Sequence, residues 1–179
     1  LFLLNGRVRG FYFVSASRNA SGGADGLDGG FIADGRWHHL ALVVDTAGAR
    51  IFVDGTQRNS VAWTGTPGPA TTTQQVRIGS YPGGNDNFIG SIFIDDVRVW
   101  NESLSVTGIQ NSMDGTLPAG RNNQLAYYPC NEGSGNTIID SATLGGSNDG
   151  AWVGLSLFTP VLPNSQTLAA TSLGFTQAT

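Results

Sequence analysis

The chain has 179 residues, a length that suits one domain or one domain with appended strands. Apolar residues make up 40%, enough for a core, while charged residues are only 12%, too few for a helical bundle built on Glu and Lys. A net charge of −4 with no basic stripe argues against nucleic acid and anionic membranes, and no apolar run reaches membrane-spanning length. The 26 glycines, with frequent Ser, Thr and Asn, predict many short strands joined by tight turns.

In chain order, Leu1–Leu4 and Val8–Val14 are strand-like runs around Asn5-Gly6, a hairpin signal. The chain begins with Leu inside such a run, so preceding sequence is expected, lost by processing or left out, and the sheet edge there needs cover. Residues 15–30 read as a polar, glycine-rich loop. Asp34-Gly35 turns the chain into a strand over Trp37–Asp45, followed by Arg50–Val53 and a turn at Asp54-Gly55. Gln75–Gly79 has a strand period of two, Pro82–Asn87 is a surface loop, and Ile89–Trp100 is the longest strand candidate. Ser103–Met113 suits one short helix capped by Ser103 or Ser105. Further strands are expected at Leu125–Pro129, Thr137–Ile139 and Ala151–Gly154. Residues 113–124 read as a linker and 159–179 as an extended tail.

Three pieces carry a resemblance: Asp34–Ala41, Ile51–Gly55 and Val76–Gly79, continued by Phe88–Gly90 and Ile94–Asn101, with Leu104 and Ile109 in a helical coda. In this order they resemble the laminin-G-like branch of the concanavalin A-like lectin/glucanase superfamily. The resemblance covers residues 1–112 and implies an all-β fold, a two-sheet antiparallel jelly-roll sandwich. A second match, Leu125–Gly135 with Ile139–Ser141 and Asn148–Gly150, resembles the segment that normally opens such a domain. Residues 125–158 are therefore expected to pack as opening strands on this sandwich, beside Ile94–Trp100, or on a neighbouring one.

Asp95-Asp96 is an acidic pair in an apolar run; an extended strand would send one carboxylate to each face. It reads either as a calcium ligand set or as a bulged acidic edge paired with Arg98. The resemblance implies a structural Ca²⁺ where the opening loop meets the closing strand, with Asp96 and Asp140 as the favoured carboxylates and Asp95 and Asn148 in support. Glu132 and Asp149 are weaker candidates.

His38 and His39 are adjacent, so a strand would point them apart and no zinc site is expected; one should pack beside Trp37 and one face solvent. Cys130, the sole cysteine, reads as a buried inert thiol. Tyr81 with Asn85, Asp86 and Asn87 is the best candidate ligand surface, an aromatic beside polar loop groups. Asn19-Ala20-Ser21 and Asn101-Glu102-Ser103 are glycosylation triplets in loop-like positions.

The sequence carries no alternating glycosidase carboxylates, nucleophile elbow or phosphate loop, so no enzyme activity is expected. The functional expectation is a non-catalytic extracellular recognition or adhesion module, with a glycan or an extracellular protein as partner. One alternative is a structural subunit joined by strand complementation to other copies or to the rest of its own chain. A glycoside hydrolase fragment is the weaker alternative.

Overall fold

The structure, a computed structural model, describes residues 1–15, 18–65, 76–79, 92–115, 123–142, 144, 148–153, 157–162, 165–169 and 174–177. The chain divides into two compact units: Leu1–Thr72 with Glu102–Gly120, and Thr73–Asn101 with Arg121–Thr179. Both are built mainly of antiparallel strands.

The first unit holds β1 (Phe2–Leu4), β2 (Arg7–Gly10), β3 (Tyr12–Ser15), β4 (Arg18–Ala20), β5 (Leu27–Phe31), β6 (Leu40–Asp45), β7 (Gly48–Val53), β8 (Thr56–Ala62), β9 (Thr64–Gly65) and the helix α1 (Val106–Met113). Three sheets result, ordered β1-β2-β5, β3-β4-β9 and β6-β7-β8. The two-residue hairpin turns fall where the sequence signals them. Asn5-Gly6 and Asp54-Gly55 all have positive φ, at 52°, 75°, 51° and 69°, the backbone that matches strand twist across a tight hairpin.

Val8, Ala20, Leu27, Ala49, Ile51 and Val53 bury together, with Leu40, Leu42, Val61 and Trp63 against them. Full burial of a side chain such as Val8 or Ile51 contributes roughly 1.5–3 kcal/mol. Gly29 is part of that packing: a Cβ there would lie 2.7 Å from Val8 Cγ1 and 3.0 Å from Ile51 Cδ1. Residues 15–30 are thus not simply a loop. They supply β4 and β5, and glycine permits close packing of β5 on β2 and β7. Ser105 caps α1, its hydroxyl accepting from the Gly108 N–H at 3.1 Å.

The second unit holds β10 (Val97–Trp100), β11 (Gln124–Tyr128), β12 (Thr137–Ile138), β13 (Gly150–Val153), β14 (Leu157–Leu162), β15 (Ser165–Ala169) and β16 (Gly174–Gln177). β10 and β11 pair antiparallel, with Val97 opposite Tyr128 and Arg98 opposite Tyr127. That ladder groups Val97–Trp100 with the later segment, across the boundary at residue 112 read from the sequence. Ala126, Tyr128, Cys130 and Ile138 form the core, with Ile78 and Val97 packed on it.

Two strand expectations need correction. Ile89–Trp100 is not one long strand: residues 93–96 lie outside the ladder, and Asp96 has φ of 54°, which breaks extension before Val97. The expected strand at Gln75–Gly79 is absent over its described residues, 76–79. Conversely, residues 159–179 contribute to strands. β14 pairs with β15 and β16 pairs with β13, as their Thr, Leu, Val and Phe content favours.

Candidate functional site

Among the described residues of the second unit, two sets of acidic side chains meet at Tyr127. Asp140 is buried, at 9% exposure. Its Oδ1 accepts from the Tyr127 and Ala142 amides, both at 2.9 Å. Its Oδ2 accepts from the Asn148 amide at 3.2 Å and from Asn148 Nδ2 at 3.1 Å. Burial alone would raise its pKa; the amide donors outweigh burial and hold the carboxyl below its ordinary value. Asn148 extends the staple, its Nδ2 also reaching the Leu125 carbonyl at 3.3 Å and its carbonyl accepting the Tyr128 hydroxyl at 2.7 Å.

Asp96 accepts from the Tyr127 hydroxyl at 2.7 Å and from Arg98 at 3.2 Å, and the Arg98 guanidinium lies 4.6 Å from the Tyr127 ring centroid. The Tyr127 phenol is pushed up by burial and then by its bond to Asp96. Asp95 turns back, accepting the Asp96 N–H at 3.0 Å, and burial together with the Asp96 charge raises its pKa. The pair does not alternate across a strand, because Asp96 has left the extended backbone.

Ca²⁺ takes six to eight oxygen donors. Here Asp140 is surrounded by N–H donors and Asp96 by a guanidinium and a phenol, and no group of three or more His, Cys, Asp or Glu suited to a metal stands among the described residues. As placed, Asp95, Asp96, Asp140 and Asn148 do not fit a calcium centre. Glu132 and Asp149 perform similar work: Glu132 Oε1 accepts the Ile139 amide and Asp149 Oδ1 the Asp140 amide, both at 2.8 Å. Beside them lies a shallow cavity of about 460 Å³, lined by Ser134, Asn136, Thr137 and Ile139. Cys130 is buried at 3% exposure, and burial, with the charges of Asp95 and Glu132, pushes its thiol up to about 12.

Tyr81, Asn85, Asp86 and Asn87 lie outside the described residues. Asn101 is exposed in the bend after β10. Asn19 is not in a loop: it sits on β4, the middle strand of its sheet, opposite Phe13 on one side and Thr64 on the other. Cross-strand partners share a face, so this surface carries an aromatic beside an amide and a hydroxyl. Asn19 Oδ1 accepts from Ser21 Oγ and Thr64 Oγ1, both at 3.0 Å. Phe13 is 54% exposed and stacks at a tilt on Phe11, centroids 4.8 Å apart, which in turn meets Phe2 at 5.3 Å. The ligand surface read from the sequence omitted this one, because the stretch that carries Asn19 and Ser21 read as loop.

His38 lies between two carboxylates that the sequence reading did not place beside it. Its Nδ1 lies 2.8 Å from Asp54 Oδ2 and its Nε2 3.0 Å from Asp34 Oδ1. The remaining Asp54 oxygen accepts the His39 amide at 3.0 Å, and the Asp54 amide returns a bond to the His39 carbonyl at 2.8 Å. Asp54 and Asp34 raise the pKa of the imidazole between them.

Comparison with known families gives one match. A laminin-G-like family model, described as the concanavalin A-like lectin/glucanases superfamily, matches residues 2–110. Neither the curated proteins nor the solved structures supply a match.

Proposed function

Because this chain belongs to the laminin-G-like branch of the concanavalin A-like lectin/glucanase superfamily, we propose that it is a non-catalytic recognition module taking glycan. On this reading its strands assemble as a two-sheet jelly roll and it works outside the cell, on secreted or surface-displayed protein. The observation that carries glycan recognition is the Phe13 face: an exposed ring beside the Asn19 amide and the Ser21 and Thr64 hydroxyls. Sugar rings offer apolar faces for stacking and hydroxyls for hydrogen bonding, and this surface has partners for both. The non-catalytic reading is supported by the work of the carboxylates. Those of Asp28, Asp45, Asp54 and Asp140 hold arginine, histidine or backbone amides.

A glycan array probed with the intact chain tests this. Binding is expected, and Phe13→Ala is expected to weaken it about tenfold, the loss of one stacking partner. A silent array, or binding unchanged by Phe13→Ala, refutes the assigned surface. If binding is lost instead on replacing Tyr81 and Asn85–Asn87, the ligand sits there.

A second reading, a structural subunit joined by strand complementation, is favoured by β1. Among the described residues this strand pairs with β2 alone, and Leu3 is 39% exposed on it. Sedimentation at micromolar concentration separates the two, since a complemented subunit sediments as an oligomer.

A further inference from the structure

Carboxylates accept hydrogen bonds and cannot donate them, whereas a neutral imidazole has one N–H and one lone pair. His38 faces a carboxylate oxygen at each ring nitrogen, 2.8 Å and 3.0 Å away. Only the charged ring, with two N–H groups, satisfies both contacts; in the neutral ring one nitrogen lone pair would face an anionic oxygen. We propose that His38 is a proton-operated latch, which when charged ties the Asp34–Arg36 turn to the Asp54 hairpin and when neutral lets the Asp34 side go.

The asymmetry follows from the two partners. Asp54 closes the β7–β8 hairpin and is fixed by the His39 amide as well as by His38. The last ring proton therefore stays on Nδ1, facing Asp54. Asp34 sits on a turn that the Arg36 N–H closes onto Asp34 Oδ1 at 3.0 Å. Besides the neighbouring His39, two arginines act on the latch carboxylates. Arg36 stands 4.0 Å from Asp34, and Arg58 on β8 acts on Asp54 from a distance. Gln110 of α1, which reaches the Gly55 carbonyl at 3.5 Å, is neutral. The imidazole itself is 17% exposed, enough for exchange of a proton with solvent.

The direction in pH is fixed by the raised pKa of the ring. Stabilisation by the latch is complete below the ordinary imidazole value of 6.5 and is lost as pH rises through the higher value of the folded state.

The test is NMR of the intact chain labelled with ¹⁵N, titrated from about pH 5 to 9. Both His38 ring nitrogens are expected to carry protons at pH 6.5, with a midpoint above the ordinary imidazole value. The Arg36 amide is expected to shift with the His38 midpoint, and its exchange, corrected for base catalysis, to rise about tenfold above it. Asp34→Asn should lower the midpoint by roughly one pH unit, and His39→Gln should leave it in place. A neutral His38 ring at pH 6.5, or an Arg36 amide indifferent to the His38 midpoint, would overturn the proposal. If Asp34→Asn fails to fold, the wild-type titration still decides.

Discussion

Replacing Gly48 by alanine is expected to destabilise the first unit by about 3–5 kcal/mol and to lower its melting temperature by roughly 20 °C. Gly48 ends the two-residue turn between β6 and β7, where it pairs with Asp45 on one side and Ala62 on the other. Its φ is 143°, backbone that residues with a Cβ seldom adopt. The added carbon would overlap the carbonyl oxygen of Val61 and lie 2.8 Å from Ala62 Cα. Both obstacles are main chain, so no rotamer change relieves them. Relief requires β8 to withdraw, which strips bonds from the ladder that places Ala49, Ile51 and Val53 in the core. Thermal denaturation followed by circular dichroism checks this. An unchanged melting temperature would show that the turn tolerates a side chain.

Asp140→Asn is the second large effect, expected to cost about 2–4 kcal/mol at neutral pH. The amide keeps the shape but turns an NH₂ group toward N–H donors that the carboxylate accepts. Four bonds converge there, from Tyr127, Ala142 and, twice, Asn148. They tie β11 to the loop before β13, so the loss should reach Tyr128, whose hydroxyl is held by the Asn148 carbonyl. Because the Asp140 pKa is depressed in the folded chain, the wild type keeps this stabilisation above the ordinary aspartate range and loses it as pH falls through the folded value. The variant should therefore converge on the wild type in acid. Chemical denaturation across that range measures both effects. The same titration with chelator or millimolar Ca²⁺ should give one curve, since Asp140 is saturated by N–H groups; a rise in stability with Ca²⁺ would restore a metal role.

Much of the strand framework is legible from local chemistry. Asn5-Gly6 and Asp54-Gly55 announce tight hairpins because few other pairs accept two consecutive positive φ angles. Ser103 and Ser105 both announce the start of α1, and it is the Ser105 hydroxyl that supplies an acceptor to an otherwise unbonded amide. What escapes is set by partners distant in sequence. Gly29 reads as loop, yet it is small so that Val8 and Ile51 can approach. Asp96 reads as strand by its apolar neighbours, but it adopts a left-handed backbone that aspartate tolerates better than they do. His38 reads as unremarkable beside His39, because Asp54 reaches it only once β6 pairs with β7. For Asp140, sequence shows a carboxylate near other oxygens; it does not show whether cations or amides will surround it. The pairing of β10 with β11 follows a likeness between Leu125–Pro129 and an opening strand, whereas the Asn19 face needed three-dimensional register between β3, β4 and β9.

The placement of Cys130 has a practical consequence. It is the sole thiol of the chain, enclosed in the core of the second unit and held protonated by its surroundings. A soluble thiol-alkylating reagent meets no accessible thiol while that core is shut. Its rate of uptake therefore reports the opening of the core around Cys130.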